Sequence, residues 1–451
     1  MRMKSKLCSI ALAICMLFGS IMTLSSCMVM NSPGVVEAKL NGKGELVLYY
    51  SDGSEQNLGV VVGKDGLDGE KGESGRDGVS GADGSLTITS NGNSVPAASA
   101  KGLRSAVSIV CKFTAVVQQG GWRPGSGSTT TQEYSSRGSG VIYRMDKEEG
   151  DAFIITNYHV VYDASSNTSN HISDDISVFL YGSETESKAI KATYVGGSLY
   201  YDIAVLRVED STVLQTSNSC EVTAANSDEV TVGETAIAIG NAKGYGISTS
   251  FGIVSVDSEY ITMTAADGAT SVSFRVMRVD TAVNSGNSGG GLYNDEGELI
   301  GIVNAKIVDD GVENIGYAIP SNVAVSIADN VIDYCYGTTS QRVQRAMLGI
   351  TVSTSDSKAV YDGTTGLLTI RETVSVYEVT EGSIAEGVLQ EGDVLVSAVL
   401  NGETTNITRQ YHIIDLMLDV RVGDTVTLNI LRNGEEKAVS IVITEDCLTE
   451  Y

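Results

Sequence analysis

The stretch Asp280-Thr281-Ala282-Val283-Asn284-Ser285-Gly286-Asn287-Ser288-Gly289-Gly290 sets Ser288 among three glycines. Its glycines adopt backbone angles that other residues avoid, which permits a tight turn at Gly-Asn-Ser-Gly-Gly. Such a turn points the backbone N–H groups of Gly286 and Ser288 at a developing oxyanion. One donor of that kind is worth roughly 3–4 kcal/mol of barrier. A serine hydroxyl is a poor nucleophile until a base takes its proton. Two upstream segments offer the partners. Thr156-Asn157-Tyr158-His159-Val160-Val161 brings His159, a base that can later serve as acid for a leaving amine. Tyr201-Asp202-Ile203-Ala204-Val205-Leu206 brings Asp202, which can hold the imidazole tautomer and stabilise the imidazolium. His171 sits among Asn, Ser and Asp and reads as solvated loop, and His412 lies in an apparent helix.

Upstream of this stretch, short apolar runs alternate with turn clusters. They cover residues 106–110, 140–143, 153–156, 176–180, 203–206 and 236–239. Strands spaced this way, with few helical stretches, predict a β-barrel or sandwich. Residues 120–131 read as a loop without periodicity. Val323, Val325, Ile327, Val331 and Ile332 fall at helical spacing and predict a closing helix over 322–334. The chain order His159, Asp202, Ser288 is that of chymotrypsin-type barrels, not of subtilisins or α/β-hydrolases.

On these residues the stretch from about Ser105 to Asp333 resembles the protease domain of the HtrA (DegP-like) family of trypsin-fold serine proteases. Further matching pieces are Gly-Ser-Gly-Val-Ile at 138–142, Ala-Ile-Gly-Asn at 238–241, Gly-Ile-Val-Ser at 252–255 and Asn-Ile-Gly-Tyr-Ala-Ile-Pro at 314–320. Ser285 and Gly291 stand where the family usually has proline, and both loosen the oxyanion loop. By the family pattern Ala282 lies at the floor of the pocket for the side chain preceding the cut. An alanine floor offers no charge for Lys or Arg, so cleavage after small or medium aliphatic residues is expected.

After a polar link at 338–344, a second module opens at Met347-Leu348-Gly349-Ile350. The motif Gly382-Ser383-Ile384-Ala385 through Leu389, followed by Glu391-Gly392-Asp393, makes residues 345–446 similar to a PDZ domain of the HtrA type. In that binding mode a peptide adds as a strand, and its terminal carboxylate sits on backbone N–H groups of the opening loop. Here that loop is Leu348, Gly349 and Ile350. The bland alternative is that Met-Leu-Gly-Ile is only a core strand. Residues 353–366 read as an unusually long loop able to shield the groove.

The chain has 451 residues, 42% of them hydrophobic, enough for two or three domains. Asp and Glu number 56 against 30 Lys and Arg, a net charge of −26. Nucleic acid is therefore not an expected partner, because affinity there is mostly phosphate neutralisation. With only 3 histidines, set far apart, and no Cys pair at zinc spacing, neither a metal nor a cofactor is expected. Cys111, Cys220, Cys335 and Cys447 allow two disulfides in any of three pairings. Free, mostly buried thiols are the default in a domain this size.

The N-terminus carries Arg2, Lys4 and Lys6, then an apolar run from Leu7 to Leu24, the layout of a secretory signal. Leu24-Ser25-Ser26-Cys27 resembles the bacterial lipoprotein box, which implies a signal over 1–26 and lipidation of Cys27. The alternative is an uncleaved anchor helix. Residues 27–62 are read as a tether and a short β-hairpin. From Gly63 to Gly84 glycine recurs at every third position. The tract resembles collagen, in which only glycine fits at the triple-helix axis, but it contains no proline. A flexible acidic spacer is the alternative. Either adds reach, roughly 65 Å when extended. Residues 85–101 read as linker.

The sequence thus predicts a mostly β protein. A chymotrypsin-like double β-barrel over 102–336 is followed by a PDZ domain of mixed α and β structure, with an extended or collagen-like stalk before both. The expected activity is that of a membrane-tethered, extracytoplasmic serine endopeptidase acting on unfolded envelope proteins. The resemblance also implies a homotrimer. The rival expectation is a quiescent surface scaffold or chaperone that binds peptides through the PDZ groove.

Overall fold

The computed structural model describes residues 35–43, 45–60, 89–90, 93–119, 128–168, 170–305 and 315–451. Residues 1–84 and 85–451 form separate units. In the first, β1 (Val35–Leu40), β2 (Glu45–Tyr50) and β3 (Glu55–Val60) make an antiparallel meander, one strand more than the expected hairpin. Its second turn uses Gly53 at φ 81°, with the Asp52 carboxylate accepting from the Ser54 N–H at 2.9 Å. Cys27, the apolar run before it and the glycine repeat Gly63–Gly84 lie outside the described residues. Among the described residues no helix is long and apolar enough to cross a membrane.

The second unit opens with a two-stranded ribbon, β4 (Thr89–Ser90) and β5 (Asn93–Ser94), and then helix α1 (Val95–Ser105). Here the structure departs from the expected linker over 85–101. The Ser94 hydroxyl accepts from the Ala97 N–H, and Pro96 sits in the first turn, where a missing N–H costs nothing. The helix buries Ala98 and Gly102 rather than a large apolar stripe. A Cβ at Gly102 would meet Ile239 Cδ1 at 2.6 Å, so small residues let the helix lie flat on its support. Small residues carry little hydrophobic periodicity, which is why the sequence pattern hid this helix.

Strands β6 (Ala106–Gln119), β7 (Ser128–Asp146), β8 (Asp151–Thr156), β9 (Asp175–Leu180), β10 (Ile190–Ser198) and β11 (Ile203–Val208) close into a barrel in the order β10-β11-β8-β7-β6-β9. A second barrel is formed by β12 (Thr235–Gly240), β13 (Ser248–Thr264), β14 (Ser271–Val279), β15 (Gly291–Tyr293), β16 (Leu299–Val303) and β17 (Gly316–Pro320), in the order β12-β13-β14-β17-β16-β15. The apolar runs noted in the sequence serve two cores at once, because successive side chains on a strand point to opposite faces. Ile142, Ile154 and Leu206 fill the first barrel, while their neighbours Val141, Ile155 and Val205 face Ile237 and Ile239 of the second. Ala236 and Ala238, which alternate with those isoleucines along β12, line the second barrel's own core. Helix α2 (Tyr158–Val161) follows β8, and a short α3 (Thr212–Thr216) follows β11. Helix α4 (Ser321–Cys335) places Val323, Ile327 and Val331 in the shared core.

The last module has β18 (Gln344–Ala346), β19 (Ile350–Tyr361), β20 (Leu368–Val379), β21 (Val394–Leu400), β22 (Glu403–Asn406), helix α5 (Gln410–Asp419), β23 (Thr425–Arg432), β24 (Glu435–Val442) and β25 (Leu448–Glu450). Its sheet runs β19-β20-β21-β23-β24, with β22 paired to β21. The expected long loop at 353–366 is instead the exposed outer half of the β19–β20 hairpin. Its strands pair as far as Tyr361 and Leu368, because β-ladder bonds satisfy backbone groups that a loop would leave to water. Arg275 of β14 joins the module to the second barrel. It is 3% exposed, bonds Asp228 at 2.8 Å and Asp415 of α5 at 2.6 Å, and lies 3.5 Å from the Tyr411 ring centre. Among the described residues all four thiols, those of Cys111, Cys220, Cys335 and Cys447, are free, and Cys111, Cys335 and Cys447 are buried.

Candidate active site

His159 and Asp202 come from segments far apart in the chain that the first barrel sets side by side. The Asp202 backbone sits in the left-handed region at φ 55°. That strain is held by its carbonyl, which accepts from the Tyr158 N–H at 3.1 Å and from Asn157 Nδ2 at 2.9 Å. Its carboxylate is 5% exposed as part of the residue and is filled with donors. Oδ1 accepts from the His159 backbone N–H at 2.9 Å, and Oδ2 lies 2.6 Å from His159 Nδ1. A carboxylate only accepts, so the proton of that contact sits on Nδ1. In the neutral ring Nε2 then carries the lone pair, the form a base needs.

A third donor to this carboxylate, absent from the sequence reading, is Asn304, fully buried after β16. Its Nδ2 donates to Asp202 Oδ2 at 2.8 Å. No motif announces it, because the contact joins the two barrels.

Ser288 sits in the turn between β14 and β15. Gly286 at φ 98° and Gly289 at φ 83° are required there. A Cβ on Gly286 would strike the Asn241 carbonyl, and one on Gly289 would strike the Ser139 carbonyl and Thr156 Oγ1. The Gly289 position also faces the Asn157 N–H, so the serine turn packs against the segment that leads to His159. The turn is pinned along its length. Ser285 O accepts from the Lys243 N–H at 2.8 Å, Asn284 O from the Asn287 N–H at 2.9 Å, and Val303 O from the Gly289 N–H at 2.9 Å. The looseness expected from Ser285 and Gly291 is countered by these bonds, and Gly291 makes room for the Tyr293 ring. Among the described residues the N–H groups of Gly286 and Ser288 have no acceptor. They are therefore available to an oxygen anion. Among the same residues the Ser288 hydroxyl makes no hydrogen bond to His159.

Ser139 was quoted above only as part of a motif, yet it grips both ends of this turn. Its hydroxyl donates to Gly286 O at 2.7 Å and accepts from the Asn241 N–H at 2.8 Å, while its own N–H donates to Ser288 O at 2.8 Å. Removing a hydroxyl that satisfies two buried backbone groups leaves both unpaired, at about 1–3 kcal/mol each. Ser139→Ala is expected to lower kcat on a short peptide roughly 10²-fold with KM little changed, because oxyanion donors act on the transition state. Equal kcat values for the folded variant and the parent would exclude this.

Ala282 is exposed. Its carbonyl accepts from Ser250 Oγ at 3.1 Å and from Asn287 Nδ2 at 3.4 Å, which ties it to the residue before Ser288. In the second module, Leu348, Gly349 and Ile350 line a cavity of about 70 Å³ with Ile413, Ile414 and Met417 of α5. Strand β19 is the edge of its sheet, and among the described residues the N–H groups of Leu348 and Gly349 have no acceptor. Gly349 stands at φ 76°, and a Cβ there would collide with that of Ser383. Among the described residues no cluster of three metal-ligating side chains occurs.

The trypsin-like peptidase domain family matches residues 138–302, and the PDZ domain family matches residues 346–443. Serine protease Do-like HtrA of Bacillus subtilis is 35% identical over 330 residues, which is 71% of this chain and 67% of that protein. Serine protease Do-like HtrA of Lactococcus lactis subsp. cremoris is 32% identical over 333 residues, 71% of this chain and 74% of that one. The periplasmic pH-dependent serine endoprotease DegQ of Escherichia coli is 30% identical across 69% of this chain and 60% of its own length.

Proposed function

This chain belongs to the HtrA family and is a serine endoprotease with a trypsin-like domain and a C-terminal PDZ domain, and on that premise we propose that His159, Asp202 and Ser288 are its catalytic groups. His159 Nε2 takes the Ser288 proton as the hydroxyl oxygen attacks the scissile carbonyl. The oxyanion settles on the N–H groups of Gly286 and Ser288. His159 passes the proton to the departing amine, and water then releases the acyl group from Ser288 by the same route. The observation that carries this reading is the Asp202 carboxylate accepting from both the backbone N–H and Nδ1 of His159, which leaves Nε2 for the proton transfer, together with two amide donors that have no acceptor among the described residues. A fluorophosphonate probe is expected to label one residue, Ser288, by mass mapping. Labelling elsewhere, or none under any condition, rejects the assignment.

With Ala282 as the pocket floor that the family pattern implies, cleavage of a peptide library is expected after small or medium aliphatic residues. Cuts confined to Lys and Arg would oppose it. The PDZ groove takes the C-terminus of an unfolded protein, its carboxylate on the Leu348 and Gly349 amides. Gly349→Val is expected to lower the affinity for a fluorescent C-terminal hexapeptide more than tenfold, since it combines backbone strain with a clash at Ser383. Wild-type affinity in that variant would assign Met-Leu-Gly-Ile to the core alone.

The substrates in this reading are unfolded or damaged envelope proteins. The enzyme is tethered outside the cytoplasm through lipid on Cys27, with the glycine repeat as a stalk and a homotrimeric assembly. Mass spectrometry of the membrane fraction tests the lipid, and light scattering with and without residues 63–84 tests the trimer. The second reading, a quiescent scaffold, draws on the missing Ser288–His159 hydrogen bond. Such bonds are often long before substrate arrives, which favours the enzyme.

A further inference from the structure

A cleft of about 780 Å³ opens beside α2, separate from the PDZ groove and without Ser288 in its wall. Its walls carry Tyr158, Tyr162, Tyr194, Tyr200, Tyr451 and His171, each half-buried. The rings meet at steep angles. Tyr158 and Tyr194 lie 6.3 Å apart at 81°, Tyr162 and His171 5.8 Å apart at 66°, and Tyr200 and Tyr451 5.3 Å apart at 87°. The cleft therefore presents both ring faces and ring edges. Burial raises the Tyr158 and Tyr194 phenols above their ordinary range and keeps them neutral. His171 is held in the left-handed region at φ 58°, with its Nδ1–H donating to Ser166 O at 2.9 Å, and residues so strained cluster where ligands bind.

The charge of the wall selects the class of occupant. Arg342 shares the wall with Asp267 and Glu450, so the cleft has no cationic cluster for phosphate or another anion. The uncharged polar groups are amides and hydroxyls, including Asn170, whose Nδ2 donates to Gln341 Oε1 at 2.9 Å. Tyrosine-rich concave surfaces with amide edges suit polypeptide, because each ring offers large contact area for little lost conformational entropy. The cleft also adjoins the candidate catalytic residues along the chain. Tyr158 precedes His159 on the same turn of helix, and Leu199 and Tyr200 lead directly into Asp202.

We propose that this cleft is a second docking site, at which an aromatic-bearing stretch of unfolded polypeptide binds while a distant bond of the same chain is cut. The proposal rests on the protease reading above. Docking there raises the local concentration of scissile bonds at Ser288 without changing the chemical step, so its signature is in KM and not in kcat. It also selects for unfolded chains, since folded proteins rarely display contiguous apolar segments.

The test uses the full chain and peptide amides, whose blocked C-termini do not offer a carboxylate to the PDZ groove. One substrate is an octapeptide containing the cut site. Two others join it through a Gly-Ser spacer, at either end, to a ten-residue segment rich in Phe and Trp. Matched controls carry Gly and Ser in that segment. The aromatic substrate is expected to show a KM about tenfold below its control with the same kcat, and the double variant Tyr162→Ala, Tyr200→Ala to abolish that difference while cutting the bare octapeptide as the parent does. Equal KM values in the parent, or an advantage that survives in the variant, overturn the proposal. A benzophenone in the aromatic segment gives a second measurement on unaltered protein. Crosslinks within residues 158–172, 194–200 or 339–342 support the cleft, and crosslinks confined elsewhere reject it even if the variant does not fold. Failure to cut the bare octapeptide, with no fluorophosphonate labelling, would count against the protease reading instead, and the crosslink map still decides the cleft.

Discussion

Ser288→Ala is expected to abolish cleavage of unfolded casein, a loss of about a million-fold in turnover. The hydroxyl oxygen is the atom that attacks the carbonyl, and no neighbouring group replaces it. What survives, about 10³–10⁴ over water, belongs to the amide donors and to substrate binding. The variant is a clean one, because among the described residues the Ser288 hydroxyl makes no hydrogen bond that its removal would break. The turn is held by backbone groups instead, so the melting temperature is expected to change little. Fragments from the parent and none from the variant support the enzyme. Indistinguishable gels would favour the scaffold.

Asp202→Asn is expected to lower kcat about 10⁴-fold with the fold intact, equivalent to about 5.5 kcal/mol of barrier. Among the described residues every hydrogen bond to the carboxylate is from a donor: His159 N and Nδ1, and Asn304 Nδ2. An amide has one oxygen to offer and must turn its NH₂ toward one of these. Facing Nδ1, it drives the imidazole proton to Nε2, where the ring can no longer take the serine proton. Facing the His159 backbone N–H, it sets donor against donor. KM should stay within a few-fold, since substrate does not touch this group. A kcat within tenfold of the parent would remove Asp202 from the mechanism.

Much of this site was legible in the sequence because its glycines and its nucleophile are contiguous. Gly286 and Gly289 are imposed by a turn whose neighbours leave no space for a Cβ, so the motif records a steric fact. The apolar runs announced strands, although not that residues such as Ile154 and Ile155 serve different cores. Asn304 and Ser139 were not legible. Asn304 acts through one side-chain amide, and Ser139 through its hydroxyl and its backbone N–H, on partners more than a hundred residues away. The helix α1 was missed because Ala98 and Gly102 pack by being small. The cleft was missed because its tyrosines are scattered from Tyr158 to Tyr451 and share no period.

By itself the amino-acid order determined the class of chemistry, the order of the two modules and the residues able to carry out acyl transfer. These are local matters, written in turn-forming glycines, in side-chain period and in functional groups that no other residue supplies. Tertiary structure alone decided which donors fill the Asp202 carboxylate, what pins the oxyanion turn, and where Arg275 clamps one module to the other. Those contacts form only when closed barrels bring distant segments within hydrogen-bonding reach, and a hydrogen bond between remote side chains leaves no pattern along the chain.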